Sequence, residues 1–428
     1  MNHLNRRQLI KTLGSGVALA AAPFVISAQT TGHVVVIGGG FGGATAAKYL
    51  RLWSGNTVNV TLVDPATAHI SCIGSNLVLN DQSSLASLTR SYATLFAHGV
   101  TLVTDRATSV DPVNHKVHLA GGGTLPYDHV ILSPGIDFLK VDGLTPDSLV
   151  MPHAWKAGPQ TTELRRQLMA MRNGGTFVIT IPKTPFRAHA APYERACVVA
   201  DFFRRNKPAS KVLILDTNGD FAAMKTTFTA AFVAFNATHP GIVTHRFNES
   251  VISVHEGAKT LTTSIGTVTG DVFNVIPPQQ ANLLAFASGL VPAGGKFAPV
   301  NPLNYESTLF PGKGVHVLGD AQATGQAKSG HMANSQAKVC VDAILRALAS
   351  PSVIPSSLTA DPAPKTSAVA FPFITRDTAS WSSTTYALVG GVMTAVVTVP
   401  PGEAPRPTSD IREEGAGWLT NLLSDTFT

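Results

Sequence analysis

The chain has 428 residues, enough for two or three domains with buried cores. Apolar residues make up 44% and charged residues 14%, which excludes an intrinsically disordered chain. Arg6, Arg7 and Lys11 of an expected leader contribute to the net charge of +6, leaving about +3, and no later Lys/Arg-rich run suggests a nucleic-acid partner.

Residues 1–28 read as a targeting segment. Asn5-Arg6-Arg7-Gln8-Leu9-Ile10-Lys11 resembles a twin-arginine export signal, Leu13 to Ile26 is weakly apolar, and Ser27-Ala28 suits cleavage near Ala28. The apolar run is too short, and too soon broken by Pro23, to span a membrane, so no integral membrane segment is expected in the mature chain. The alternative is an uncleaved N-terminal anchor. Twin-arginine export carries folded, cofactor-loaded proteins, so the expected compartment is the bacterial periplasm, where disulfides are permitted. Only Cys72, Cys197 and Cys340 are available, with no CxxC, CxxCH or Cys/His cluster, so neither zinc nor c-type haem is expected on this chain.

His33-Val34-Val35-Val36-Ile37 is a buried strand ending in the turn Gly38-Gly39-Gly40-Phe41-Gly42-Gly43. A helix is expected from Ala44 to Leu52, then a strand from Val58 to Val63 ending in Asp64. This is the dinucleotide fingerprint. Gly38 allows the tight turn, Gly40 lets the backbone approach a pyrophosphate, and Gly43 lets helix and strand pack closely. The helix N-terminus faces the phosphates, Phe41 and Gly42 belong to the same cradle, and Asp64 accepts from the ribose hydroxyls.

Two later segments favour FAD over NAD. Leu125 to Gly135 reads as a strand running into a small-residue turn, and Val315 to Asp320 as a strand closing on Gly319-Asp320. In flavoproteins with two dinucleotide domains the first returns the chain to the FAD domain, and the acid of the second meets the ribityl chain. Between them, strands are expected at 174–181 and 212–216, but the turn Pro182-Lys183-Thr184-Pro185-Phe186-Arg187 has no glycine. Bulky and proline residues there block a pyrophosphate, so NAD(P)H binding is expected to be lost. Residues 351–365 read as a linker, Tyr386 to Val399 as strands, and Trp418 to Phe427 as a short apolar helix.

These residues resemble the flavoprotein chain of flavocytochrome c sulfide dehydrogenase along essentially the whole mature chain. The matching segments include Gly38 to Tyr49, Pro152-His153-Ala154-Trp155-Lys156-Ala157-Gly158, Ala191-Pro192-Tyr193-Glu194-Arg195-Ala196, Ile276-Pro277-Pro278-Gln279, Lys328-Ser329-Gly330, Ala333-Asn334-Ser335-Gln336 and Asp425-Thr426-Phe427. The resemblance implies a periplasmic enzyme that moves two electrons from sulfide onto FAD and passes them singly to a c-type cytochrome subunit. It also implies a covalent flavin tether at Cys72, within His69 to Asn76; the alternative is a buried free thiol. It places Glu194 as a proton acceptor beside the flavin, against the alternative of a salt bridge to Arg195 or Arg187. Lys328, Gly330 and the helix containing Asn334 are expected at the flavin's pyrimidine edge.

One departure concerns the family's redox-active disulfide. Its two positions fall on Ala188 and, by a looser alignment, Ala379. Cys197 and Cys340 are either a substitute pair or two buried structural thiols.

The resulting expectation is an α/β, glutathione-reductase-like flavoprotein with two dinucleotide-binding domains and a C-terminal α+β domain. The FAD-binding domain comprises 29–150 and 286–350, the NAD-type domain 151–285, and the flavin-covering domain 366–428. The expected cofactor contacts are Gly38, Gly40, Phe41, Gly42, Gly43, Asp64, Cys72, Asn76, Gly135, Gly319, Asp320, Lys328, Gly330 and Asn334, with Glu194 catalytic and no metal. The expected donor is a reduced sulfur compound. A same-fold enzyme acting on another donor and a non-catalytic electron-transfer or assembly subunit are the alternatives.

Overall fold

The computed structural model describes residues 32–349, 363–396 and 402–428. The targeting segment lies outside the described residues, as does most of the linker 351–365. No helix of the described residues is long and apolar enough to cross a membrane.

The first part contains β1 (His33–Ile37), α1 (Phe41–Trp53), β2 (Asn59–Val63), β3 (Val100–Val103) and β4 (His129–Leu132). The middle contains β5 (Thr176–Ile181), α2 (Ala191–Asn206), β6 (Lys211–Asp216), α3 (Lys225–Thr238), β7 (Val243–Phe247) and β8 (Val272–Val275). The chain continues through β9 (Val315–Val317) and α4 (Gly330–Ala349). It ends with β10 (Thr366–Ala370), β11 (Ser382–Val389), β12 (Val392–Val396) and α5 (Ser409–Phe427).

Two parallel sheets organise these elements, in the orders β9-β4-β1-β2-β3 and β7-β6-β5-β8. In each, the chain moves to opposite sides of an inner strand, β1 or β5, and a crevice opens where the strand order reverses. β9 returns from far along the sequence to pair with β4, Val315 opposite Val130. β1 reads as an unbroken apolar run because both sheet faces are covered. Val34, Val35 and Val36 are fully buried, each worth about 1.5–3 kcal/mol of transfer free energy. The C-terminal part is an antiparallel sheet, β10-β11-β12, with α5. The molecule is therefore an α/β flavoprotein fold of the two-dinucleotide-domain type.

Several sequence-based boundaries shift for local reasons. The first helix begins at Phe41 rather than Ala44, because Gly40 already adopts the extended N-cap conformation. Residues 125–135 do not form one strand. Thr124–Pro126 pairs in an antiparallel ribbon with Lys116–Leu119, and the chain then changes sheet at Tyr127-Asp128 to enter β4. Pro126 has no N–H with which to extend a ladder. The C-terminal helix starts nine residues before Trp418, where the Thr408 hydroxyl caps the Ile411 amide at 3.1 Å.

Cys340 on α4 sits in the core under the first sheet and Cys197 on α2 in the middle core. All three cysteines are free, so Cys197 and Cys340 do not form a pair.

Candidate active site

The glycine turn is shaped by close backbone approaches. Gly38 has φ +93°, and a Cβ there would lie 2.5 Å from the Ser133 carbonyl oxygen. At Gly43 it would lie 1.8 Å from the Gly38 carbonyl oxygen, and at Gly42 2.5 Å from Ser133 Oγ. Gly40 differs: among the described residues the only neighbour a Cβ would meet is His69 Cε1, at 3.7 Å. The turn is thus packed on the protein side and open at Gly40, as close backbone approach by a phosphate requires. Asp64 Oδ2 accepts from the Gly39 amide at 2.7 Å, and Oδ1 from the Ala66 amide at 2.8 Å.

A continuous cavity of about 840 Å³ runs from this turn along the first sheet to the middle domain. Gly135 and Gly319 line it with φ of +73° and +68°. Among the described residues Asp320 Oδ1 has no hydrogen-bond partner, and burial raises that carboxyl's pKa. Lys328 donates to the carbonyls of Asp320 at 2.9 Å and Gln322 at 2.6 Å, and its Nζ lies 3.8 Å from the Phe297 ring centroid. Burial pushes this ammonium's pKa down to about 8. Gly330 opens α4 beside Phe41, where a Cβ would stand 2.6 Å from the ring.

Cys72, half-buried, also lines the cavity, and its Sγ accepts from the Ala157 amide at 3.4 Å. Asn76 donates to Glu194 Oε2 at 2.9 Å and to the Ala191 carbonyl at 3.1 Å, and accepts from Arg195 Nε at 2.8 Å. The second Glu194 oxygen accepts from the Phe373 amide at 3.1 Å. Burial pushes the Glu194 carboxyl up to about 7, opposed by these hydrogen bonds and by Arg195. Among the described residues Glu194 makes no salt bridge; Arg195 instead donates to His153 O, Ala154 O and Asn274 Oδ1. The Arg187 guanidinium donates to the Trp155 carbonyl at the same end of the cavity.

Of the expected contacts, Gly43 and Asn334 do not line the cavity. Gly43 acts through packing. Asn334 is buried on the far face of α4, where it donates to Thr45 Oγ1 at 2.9 Å and Asp425 Oδ2 at 2.8 Å. It ties α1, α4 and α5 together instead of lining the cavity. The structure also separates the two alanines: Ala188 lines the cavity with φ +57°, whereas Ala379 is fully buried against Leu77, Val198 and Phe373.

Sequence reasoning missed Tyr92 and the role of His69. Tyr92 is buried with its hydroxyl 3.4 Å from Asp64 Oδ2. His69 stacks on Phe427 at 5.3 Å and meets Phe41 edge-on, and burial lowers its pKa to about 4. No local signal marks Tyr92; His69 could have been singled out by its place three residues before Cys72.

The cradle at the glycine turn, the unpartnered Asp320 oxygen between the two ends, and a volume in the range of about 300–1,000 Å³ usual for ligand pockets all fit FAD. Fold and site together define an FAD-dependent oxidoreductase. Residues 32–168 match the family model for pyridine nucleotide-disulphide oxidoreductases, and residues 161–277 that for the central part of the sulfide dehydrogenase [flavocytochrome c] flavoprotein chain. The flavoprotein chain of that enzyme from Chlorobaculum thiosulfatiphilum is 56% identical over 48 residues, 98% of that sequence and 11% of this one. The chain belongs to this flavocytochrome c sulfide dehydrogenase flavoprotein family. It is also similar to the mitochondrial sulfide:quinone oxidoreductase of Dictyostelium discoideum, 23% identical over 318 residues, covering 72% of this chain and 69% of that one. The sulfide:quinone oxidoreductase of Aquifex aeolicus shares the fold, with a TM-score of 0.74 at 15% identity over 92% of this chain and 91% of that one.

Proposed function

We propose that the protein is a periplasmic enzyme that oxidises sulfide or another reduced sulfur compound and passes the electrons to a c-type cytochrome subunit. The observation that carries this reading is Glu194, a carboxyl poised near neutral pH at the end of the cavity that also holds Cys72. A general base is most effective when its pKa lies near the working pH. The family and the sulfide-oxidising relatives support the choice of donor.

When bound, FAD supplies a two-electron acceptor that can be emptied one electron at a time. The glycine turn and Asp64 would hold its adenosine and pyrophosphate, Asp320 its ribityl chain, and Cys72 its ring through a thioether. Arg187 and Arg195 line the reacting end without a carboxylate partner among the described residues, so that end favours an anionic donor. Joining two hydrosulfide ions into one hydrodisulfide ion releases one proton and two electrons, and Glu194 is placed to take the proton.

The middle domain supports a donor other than NAD(P)H. The Pro182 to Arg187 turn replaces a glycine loop, and α2 begins only at Ala191. Asp216, at the end of β6, is fully buried and accepts from Tyr193 at 2.8 Å and from the Asn218 amide at 2.9 Å, with His245 Nε2 at 3.2 Å. It has no face left for a ribose.

Ala188 favours a second reading. A methyl group occupies the cavity position where the family resemblance places a cysteine, and the three thiols are unpaired. A donor that needs only flavin and Glu194, without a persulfide carrier, suits this arrangement. Steady-state reduction of ferricytochrome c with sulfide, polysulfide, thiosulfate and small thiols, set beside reduced organic donors that contain no sulfur, decides between them. Sulfur-dependent turnover supports the first reading; turnover only with a donor that contains no sulfur establishes the second.

A further inference from the structure

We infer that Asn76 is the positioning residue for Glu194, fixing the plane of its carboxyl and setting the proton affinity at which it works. This rests on Glu194 as the proton acceptor. The resemblance implies a contact between Asn76 and the cofactor; the residue lines the cavity, and its amide is engaged by protein partners. Both N–H groups are committed, one to Glu194 Oε2 at 2.9 Å and one to the Ala191 carbonyl at 3.1 Å, and Oδ1 is held by Arg195 Nε at 2.8 Å. Rotating the amide by half a turn would set its oxygen against the carboxylate and the Ala191 carbonyl, and its N–H groups against a guanidinium. Arg195 therefore locks the orientation in which Asn76 donates to Glu194.

The arrangement bridges separate parts of the chain. Asn76 lies on the short 3-10 helix Ser75–Asn80, four residues after Cys72, while Glu194 and Arg195 belong to α2 of the middle domain. Phe373, from the C-terminal part, donates to the other oxygen at 3.1 Å. One donor per oxygen, from two different segments, leaves the carboxyl little freedom to rotate. Its titratable and charged neighbours are Arg195 and Cys197 on its own helix; Arg187 and Cys72 line the same end of the cavity. Among the described residues the C-terminal segment contributes the Phe373 amide to the carboxyl. Among the described residues Asn76 is thus the one side chain that donates directly to the carboxylate, and donation to the charged form favours that form. The segment carrying the proposed flavin attachment then also carries the residue that holds the base.

The test is an infrared titration of the Glu194 carboxyl in the FAD-loaded full chain, with the band identified by its loss in Glu194→Gln. Asn76→Asp keeps the acceptor for Arg195 and replaces the donor with a like charge; Asn76→Ala removes both. The midpoint is expected to rise by about one pH unit or more in both variants, furthest in Asn76→Asp. Should Asn76→Asp fail to fold, Asn76→Ala decides. A midpoint within about 0.3 unit of the parent in a flavin-loaded Asn76→Ala protein would overturn the assignment, being well inside the one-unit response expected of a lost donor. The readout needs no turnover. A midpoint that moves while the pH profile of activity does not would leave Asn76 as the tuning residue and remove Glu194 from the reaction.

Discussion

The Gly39 amide donates to Asp64 Oδ2 across 2.7 Å, so the glycine turn is tied directly to the end of the second strand of its own βαβ unit. The Tyr92 hydroxyl stands 3.4 Å from the same oxygen and only 2.3 Å from where a Gly39 Cβ would be. Asp64 thus organises the turn while lining the cavity. In a Cys72→Ser background, where binding is reversible, Asp64→Ala is expected to weaken FAD binding roughly 10- to 100-fold, the loss of charge-assisted hydrogen bonds of ~1.5–3 kcal/mol. Calorimetric titration of the apoprotein with FAD measures this.

Glu194→Gln is expected to lower the rate of flavin reduction roughly 10²- to 10⁴-fold, the usual range for loss of a general base. In the parent the rate should climb as pH rises through about 7, as the carboxyl deprotonates, and this limb should vanish in the variant. Stability moves the other way. Folding raises this pKa from 4.5 to about 7, so the folded state binds more protons across that window and loses stability as pH rises through it. Urea midpoints from pH 4.5 to 7 should show a fall in the parent that is reduced in Glu194→Gln.

Mass spectrometry of the acid-denatured chain should find the FAD mass retained on the peptide containing Cys72. Cys72→Ser should release all flavin into the supernatant while still binding it when native, because the glycine turn and Asp320 remain.

The C-terminal helix is anchored through Asp425, which accepts from Lys338 at 2.8 Å, Tyr49 at 2.5 Å and Asn334 at 2.8 Å. Two residues on, Phe427 stacks against His69 at the cavity wall. Asp425→Ala removes the shared acceptor of Lys338 and Tyr49 in a part-buried site, while Asn334 keeps Thr45 Oγ1, and is expected to cost about 1–3 kcal/mol, read as a lower urea midpoint. Flavin fluorescence should also rise as the wall behind His69 loosens.

The features legible in the sequence were those written in backbone geometry. The turn from Gly38 to Gly43 and the terminal Asp64 follow from steric needs that only a few residue types meet. Gly319-Asp320 likewise announces a strand ending at a ligand. Side-chain partners chosen across long sequence distances were not legible. Asn334 stands beside cavity-lining Ala333, but one helical position turns it onto Asp425 on the far face. Asn76 lies four residues after Cys72 yet commits its amide to Glu194 and Arg195, more than a hundred residues away. Tyr92 reaches the glycine turn only because the chain folds back after Asp64. Such pairings depend on how the two halves dock, and no local pattern encodes that.

The most direct measurement of the central claim is an anaerobic titration of the FAD-loaded protein with sulfide, following the flavin absorbance. Bleaching is expected at stoichiometric to modest excess sulfide, followed by recovery of the oxidised spectrum on addition of ferricytochrome c. A flavin spectrum that stays oxidised across a wide range of sulfide concentrations would contradict it.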